Sequence, residues 1–216
     1  MQIEWKENSV PASMLFDDPY YSLDDGVAET QHVFLDGNDL PRRFRPGFHI
    51  AELGFGTGLN LLVTLAAWRG AGVDGVLRYT SFEQYPLGAD DMAQAHRAFP
   101  ALRSVADELA PHWGKPQFAV QGLEFTLITG DARTTLPAQN WQVDAWYLDG
   151  FSPAKNPELW GADLMMAVGE HTVPGGSFAT YTAAGHVRRG LVAAGFEIAK
   201  TPGFGRKRHM TRGVKP

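Results

Sequence analysis

Apolar positions fall in short runs and helical spacings that alternate along most of the chain. Residues 48–53, Phe48-His49-Ile50-Ala51-Glu52-Leu53, read as a buried strand, followed by a glycine turn and an apolar helix over 59–68. A second strand over 76–83 precedes helical segments at 90–99 and 101–112. Leu123-Glu124-Phe125-Thr126-Leu127 alternates with period two, the mark of a strand with one buried face, and ends at Thr129-Gly130-Asp131. Residues 143–148 form another apolar strand, ending at Asp149-Gly150. A helix over 157–171 begins with Pro157 in its first turn, where the missing N–H costs nothing. Pro174-Gly175-Gly176 turns the chain into a strand over 177–181, and a helix at 185–194 with strands at 196–200 and 207–212 completes the pattern. Before this pattern, residues 1–47 are polar and turn-rich (Asp17-Asp18-Pro19, Asp36-Gly37-Asn38). They predict a loop-rich extension with little regular structure, packing on a core formed by 48–216.

Strands alternating with helices predict an α/β fold, a mostly parallel sheet with helices on both faces. Right-handed crossovers then place the loops that follow the strands along one edge, where ligands of open α/β sheets bind. Glu52–Gly58, Glu83, Gly130-Asp131 and Asp149-Gly150 all follow strand ends, so periodicity alone brings four acidic positions to one rim.

The length, 216 residues, suits one α/β domain with a full core. There is no cysteine, which excludes disulfides, thiolate nucleophiles and cysteine metal sites and fits a cytoplasmic setting. The seven histidines show no metal-ligand pairing, so no catalytic metal is expected. The start, MQIEWKENSV, lacks the apolar core of a signal peptide, and no run of about 20 apolar residues is present to span a membrane. The net charge of −5 hides a strong polarity. From His186 onward there are eight Lys/Arg (Arg188, Arg189, Lys200, Arg206, Lys207, Arg208, Arg212, Lys215) against one acid, Glu197. Such a tail either presents a basic face to phosphate or is a solvated terminal helix and strand.

The glycine turn is Glu52-Leu53-Gly54-Phe55-Gly56-Thr57-Gly58, a Gly-x-Gly-x-Gly spacing rather than the dinucleotide Gly-x-Gly-x-x-Gly. Its glycines let backbone turn sharply and approach a ligand. Glu83, at the tip of the next strand, can accept hydrogen bonds from both hydroxyls of an unphosphorylated ribose, and would repel a 2′-phosphate. Asp131 can accept from an adenine amino group or simply cap the helix after it.

Two stretches carry a resemblance. Glu52-Leu53-Gly54-Phe55-Gly56-Thr57-Gly58-Leu59-Asn60 is one, and Asp144-Ala145-Trp146-Tyr147-Leu148-Asp149-Gly150-Phe151-Ser152-Pro153-Ala154-Lys155-Asn156-Pro157 is the other. Both resemble the signatures of the methyltransferase domain of bifunctional tRNA 5-methylaminomethyl-uridine biosynthesis proteins (MnmC) and their stand-alone relatives. Gly37-Asn38, Phe82-Glu83, Gly130-Asp131-Ala132, Thr180-Tyr181-Thr182-Ala183-Ala184 and Gly203-Phe204-Gly205-Arg206-Lys207-Arg208 extend it over nearly the whole chain. The resemblance implies a class I S-adenosylmethionine-dependent fold, Rossmann-like with a seven-stranded sheet. It also implies methylation of the amine of 5-aminomethyl-uridine at the tRNA wobble position. It places Glu52, Gly54, Gly56, Gly58, Asn60, Glu83, Asp131, Ala132 and Asp149 around S-adenosylmethionine, with Asp149 where the methyl group leaves sulfur.

An alkylammonium, with a pKa of roughly 10.4 as in lysine, must shed a proton before it attacks. Asp149 can orient the amine and take or relay that proton, and Phe151 and Pro153 can supply an apolar wall. An ordinary carboxylate is a poor base for an ammonium, which leaves positioning as its other role. Lys155, Arg188, Arg189, Arg206, Lys207 and Arg208 are candidates for tRNA backbone contacts, and Asn156 for ordering its loop. Tyr21, Phe151 and Trp160 can stack on a splayed base or pack in the core. The bifunctional proteins continue into a flavin-dependent oxidase; with no second glycine fingerprint, this sequence is expected either to lack that activity and take 5-aminomethyl-uridine made elsewhere, or to be a fragment of a bifunctional chain, and to be a monomer. His209 stands where the family's stretch has an acidic residue. Three other readings share the pattern: an aminopropyltransferase-like amine transferase, an NAD-dependent dehydrogenase, disfavoured by the glycine spacing, and a non-catalytic RNA-binding adaptor.

Overall fold

The computed structural model describes residues 3–6, 10–22 and 25–216; residues 1–2, 7–9 and 23–24 of the entry segment lie outside the described residues. That segment is more regular than its turn-rich composition predicts. Strands β1 (Ile3–Trp5), β2 (Pro11–Ser13) and β3 (Asp18–Pro19) form a small antiparallel sheet. Helix α1 (Gly26–Thr30) follows, capped by the Asp25 side chain, which accepts from the Ala28 N–H at 2.9 Å. The helix widens into a π turn over Gln31–Leu35, whose Val33, Phe34 and Leu35 are fully buried. Three adjacent apolar residues give no amphipathic period, so burial against the sheet rather than local pattern makes this segment regular.

The main sheet contains β4 (His49–Leu53), β5 (Leu77–Glu83), β6 (Gln117–Val120), β7 (Leu123–Thr129), β8 (Val143–Leu148), β9 (Thr172–Thr180), β10 (Glu197–Pro202) and β11 (His209–Val214). Their order is β10-β11-β9-β8-β4-β5-β7-β6. The five inner strands, β9 through β7, are parallel; β6 and β11 run antiparallel to them, and the outermost strand β10 pairs antiparallel with β11. The sheet thus has eight strands instead of seven; the additional one is the edge strand β6, paired antiparallel to β7.

Helices α2 (Leu59–Gly70), α3 (Ala89–His96) and α4 (Arg103–Leu109) follow β4 and β5, while α5 (Ala132–Thr135), α6 (Ala162–Glu170) and α7 (Gly185–Ala193) follow β7, β8 and β9. Two buried clusters result. One contains Leu62, Leu65, Trp68 and Leu109 with Phe34 and Leu35 of the entry segment; the other contains Leu164, Val168 and Leu191. The helix expected over 157–171 is divided into a 3-10 turn, Pro157–Trp160, and α6, because Gly161 is extended (φ −67°, ψ 153°). Pro174-Gly175-Gly176 does not precede a strand but lies inside β9, where the pairing with β8 is irregular; proline has no N–H for the ladder. Strand order reverses about β4 and β8, and the loops at their C-terminal ends open the crevice expected of such folds.

Asn38 explains how the entry segment joins this sheet. It is buried and donates to the carbonyls of Phe34 (2.9 Å) and Trp146 (3.3 Å), while accepting from the Ser177 hydroxyl (2.5 Å). One side chain therefore links that segment to β8 and β9.

Candidate active site

A cleft of about 420 Å³ opens above the C-terminal ends of β4, β5, β7 and β8, within the range of small-molecule pockets. The glycine turn forms one wall. Gly54, Gly56 and Gly58 have φ of 82°, 54° and 75°, a region that disfavours other residues. The Gly54 N–H donates to the Phe82 carbonyl (2.9 Å), and the Asp149 N–H donates to the Leu53 carbonyl (3.1 Å), so the ends of β4, β5 and β8 are tied together. Gly54, Gly56, Asn60, Glu83, Asp131, Ala132 and Asp149 line the cleft; Glu52 and Gly58 lie behind its wall.

Each acidic position has acquired a distinct environment. Glu83 accepts from the Gly56 N–H (3.1 Å) with one oxygen and from the Tyr85 N–H (2.9 Å) with the other, which fixes the carboxylate and leaves each oxygen a further lone pair. Asp131 caps α5 through the Arg133 N–H (2.9 Å) and meets the Arg133 guanidinium at 2.6 Å, which holds its carboxyl below the usual range. Both roles considered for Asp131 are therefore compatible: it caps the helix and faces the cleft.

Asp149 and Glu52 are joined by Asn60. The Asn60 amide donates to Glu52 Oε1 and to Asp149 Oδ2, both at 2.8 Å, and its carbonyl accepts from the Thr30 hydroxyl at 2.8 Å. Asp149 also accepts from the Gly150 N–H (2.8 Å), yet burial pushes its carboxyl up to about 7. Glu52 is fully buried, accepts from the Ser81 hydroxyl at 2.7 Å, and is pushed by burial up to about 8, with the Asp149 charge adding to the shift. Glu52, expected around a ligand, thus supports Asn60 from below.

The raised Glu52 carboxyl has a measurable consequence. Between its unfolded value near 4.5 and its folded value of about 8, the unfolded chain releases a proton that the folded chain keeps, so stability falls as pH rises. Glu52→Gln removes that dependence. Relative to the parent protein, the variant should gain about 1.4 kcal/mol per pH unit between pH 5 and 8, then no more. Denaturant titrations across this range test it; a constant difference would mean that Glu52 is ionised in the fold.

The acceptor-side residues divide. Phe151 and Asn156 line the cleft, with Phe151 stacked on Phe16 (centroids 4.7 Å apart) and edge-on to Tyr20 (5.1 Å). Pro153 is half-buried outside the lining. Trp160 is core, 1% exposed, its indole N–H bound to the Phe151 carbonyl at 2.9 Å. Tyr21 lines the cleft and packs edge-on against Phe99. Lys155, a candidate phosphate contact, is bonded to the Asp17 carbonyl and pairs with the Asp17 carboxylate at 3.1 Å, which fastens the β2–β3 turn beside the cleft.

The basic tail is likewise mixed. Arg212 pairs with Asp39 (3.0 Å), and Lys215 donates to the Gly169 and Thr172 carbonyls (2.6 and 3.1 Å). Arg206 and Lys207 lie at the cleft; Arg189 and Arg208 are exposed and Arg188 half-buried, all outside its lining. Reading the sequence missed Phe16, Tyr20, Glu29, Thr30 and Tyr181 as cleft residues. Asp25 followed by Gly26-Val27-Ala28-Glu29 carries a helix-start signal, but nothing local says where that short helix lands.

Among the described residues, no helix is long and apolar enough to cross a membrane. Residues 100–216 match the family described as S-adenosyl-L-methionine-dependent methyltransferase. The chain is 43% identical, over 98% of its length, to the tRNA 5-methylaminomethyl-2-thiouridine biosynthesis bifunctional protein MnmC of Hahella chejuensis. It is 41% identical, again over 98%, to the protein of the same name from Stutzerimonas stutzeri. It spans about a third of the length of these relatives, 36% and 34%. Among solved structures, MNMC2 from Aquifex aeolicus superposes with a TM-score of 0.79 at 25% identity, covering 98% of this chain and 69% of that one.

Proposed function

We propose that this chain, which belongs to the S-adenosyl-L-methionine-dependent methyltransferase family, methylates the amine of 5-aminomethyl-uridine at the wobble position of tRNA. The relatives' name supplies the substrate: N-methyl transfer that yields a 5-methylaminomethyl group must start from a 5-aminomethyl group. The anticodon region of tRNA is then the partner and the cytoplasm the setting. The observation that carries the chemistry is Asp149, whose carboxyl sits on the cleft beside the glycine turn with its acidity near neutrality.

The residues that fit the donor are on the wall described above. Gly54 and Gly56 bring bare backbone to the cleft, Glu83 keeps lone pairs for ribose hydroxyls, and Asp131 with Ala132 stands farther along for adenine. When bound, the donor supplies a sulfonium methyl that needs no activation by the protein. What the chain must supply is a neutral amine on the line of attack. An ammonium near 10.4 facing an ordinary carboxylate near 3.8 would lose its proton against a gap of more than six units; Asp149 at about 7 roughly halves it. Phe151, Phe16 and Tyr20 give the cleft an aromatic side that lowers the amine's own pKa by desolvation. Holding the amine in line contributes further, up to about 7–11 kcal/mol in favourable cases. Exposed Arg189, Arg206 and Arg208 are suited to phosphate contacts, which weaken steeply with salt.

Labelled S-adenosylmethionine offered with tRNA bearing 5-aminomethyl-uridine, unmodified tRNA and polyamines tests the assignment. Label should enter the modified tRNA alone. Entry into polyamines, or equally into unmodified tRNA, would overturn the substrate.

A further inference from the structure

Glu29 and Lys207 meet across the cleft from opposite ends of the chain. Lys207 stands in the turn between β10 and β11 and Glu29 on α1, and the Lys207 ammonium donates to Glu29 Oε1 at 2.7 Å. The same ammonium lies over the Tyr181 ring, 4.1 Å from its centroid. The ring is held from behind by its hydroxyl, which donates to the Gly150 carbonyl at 2.8 Å. All three residues line the cleft, and Gly150 directly follows Asp149. A carboxylate facing an aromatic ring is the arrangement that recognises an organic cation.

We propose that Glu29 and the ring face of Tyr181 form a subsite for a primary ammonium, which Lys207 fills when no ligand is bound. The proposal rests on the reading of this chain as an amine methyltransferase. The two partners differ in how readily they can leave. The Lys207 side chain is 45% exposed, whereas that of Glu29 is 13% exposed on a helix whose start is capped. The lysine is therefore the displaceable member and the carboxylate the fixed one. Both charges reach Asp149, Glu29 making its carboxyl harder to ionise and Lys207 easier. An ammonium seated here is thus within electrostatic reach of the group proposed to take its proton.

Two ligands could bring that ammonium: the aminomethyl group of the acceptor, or the amino end of the methionyl part of the donor. Calorimetry on the protein with Glu29→Gln and Lys207→Met separates them. For the acceptor, the titrant is 5-aminomethyl-uridine, added to the protein saturated with S-adenosylhomocysteine, with 5-hydroxymethyl-uridine as the counterpart lacking the charge. For the donor, the titrants are S-adenosylmethionine and 5′-methylthioadenosine, which lacks the amino acid end.

Opposite shifts are expected for one ammonium ligand: about tenfold weaker in Glu29→Gln, where the fixed charge is gone, and several-fold tighter in Lys207→Met, where the competitor is gone. The uncharged counterpart should move less than twofold. Which pair shows the opposition identifies the source. A salt bridge that only braced the fold would weaken every ligand alike in both variants, and that result, or no shift at all, overturns the proposal. Should Glu29→Gln fail to fold, tighter binding in Lys207→Met, a change at an exposed hairpin, still decides it. The measurement reads binding, so a tRNA that is not methylated would remove the activity assignment while leaving the subsite to its own test.

Discussion

Asp149→Asn should slow methyl transfer about 10²–10⁴-fold in a single turnover, the range over which positioned bases act, while donor affinity stays within a few-fold. The substitution keeps the shape and one acceptor but removes the atom that takes the proton. It also sets an amide N–H against the donor of either Asn60 or Gly150, since both now donate to the Asp149 carboxylate at 2.8 Å. Such a mismatch costs roughly 1–3 kcal/mol of stability. Part of that is offset, because the parent's Asp149 lowers stability as pH rises from its unfolded value of 3.8 toward about 7, and asparagine does not.

The pH profile separates base from brace. Only ionised Asp149 accepts a proton, so the logarithm of the parent's kcat/KM should climb with unit slope as pH rises and flatten near 7. The asparagine variant should lose that limb. Unchanged turnover, or an identical profile in both proteins, removes Asp149 from proton transfer.

The inner sheet was legible because strands buried on both faces must be written as apolar runs. His49–Leu53 and Val143–Leu148 are buried at every position, and no helical pattern competes with them. Their ends then located Glu83, Asp131 and Asp149 on one rim without any knowledge of side-chain contacts. Edge strand β6 was not legible: its four residues, Gln117-Phe118-Ala119-Val120, are half-exposed and weakly patterned. The entry segment failed for a different reason. Its order comes from partners about a hundred residues away, such as Asn38 on the Trp146 carbonyl, and no local rule encodes those.

Glu52 shows the same limit at the site. The resemblance placed it around the ligand, but inside a strand side chains alternate between faces, and this one points into protein. The carboxyl's effect on the cleft passes through Asn60. Pairing also decided the tail, where the sequence displays eight cations and folding commits Lys207, Arg212 and Lys215 to partners within the chain. Charge counting describes the denatured chain better than the folded surface.

Gly54→Ala should abolish donor binding at accessible concentrations, a rise in Kd of at least a hundredfold, and should cost roughly 2–5 kcal/mol of stability. Two effects add. Gly54 has φ of 82°, where a Cβ costs roughly 1–2 kcal/mol. That Cβ would also stand 2.8 Å from the Gly150 Cα and 2.9 Å from the Gly150 nitrogen. These are backbone atoms, which cannot swing aside as a side-chain tip does. The turn that carries the donor and the strand end that carries Asp149 would therefore be pushed apart, so both affinity and alignment suffer. Gly47→Ala supplies the comparison: its φ is 74°, with nothing within 4 Å of the added carbon, and it lies outside the cleft. It should show the conformational cost alone and bind the donor normally. If the two variants lose equal stability and both keep the donor's affinity, the close approach of Gly54 to Gly150 is not what shapes the site.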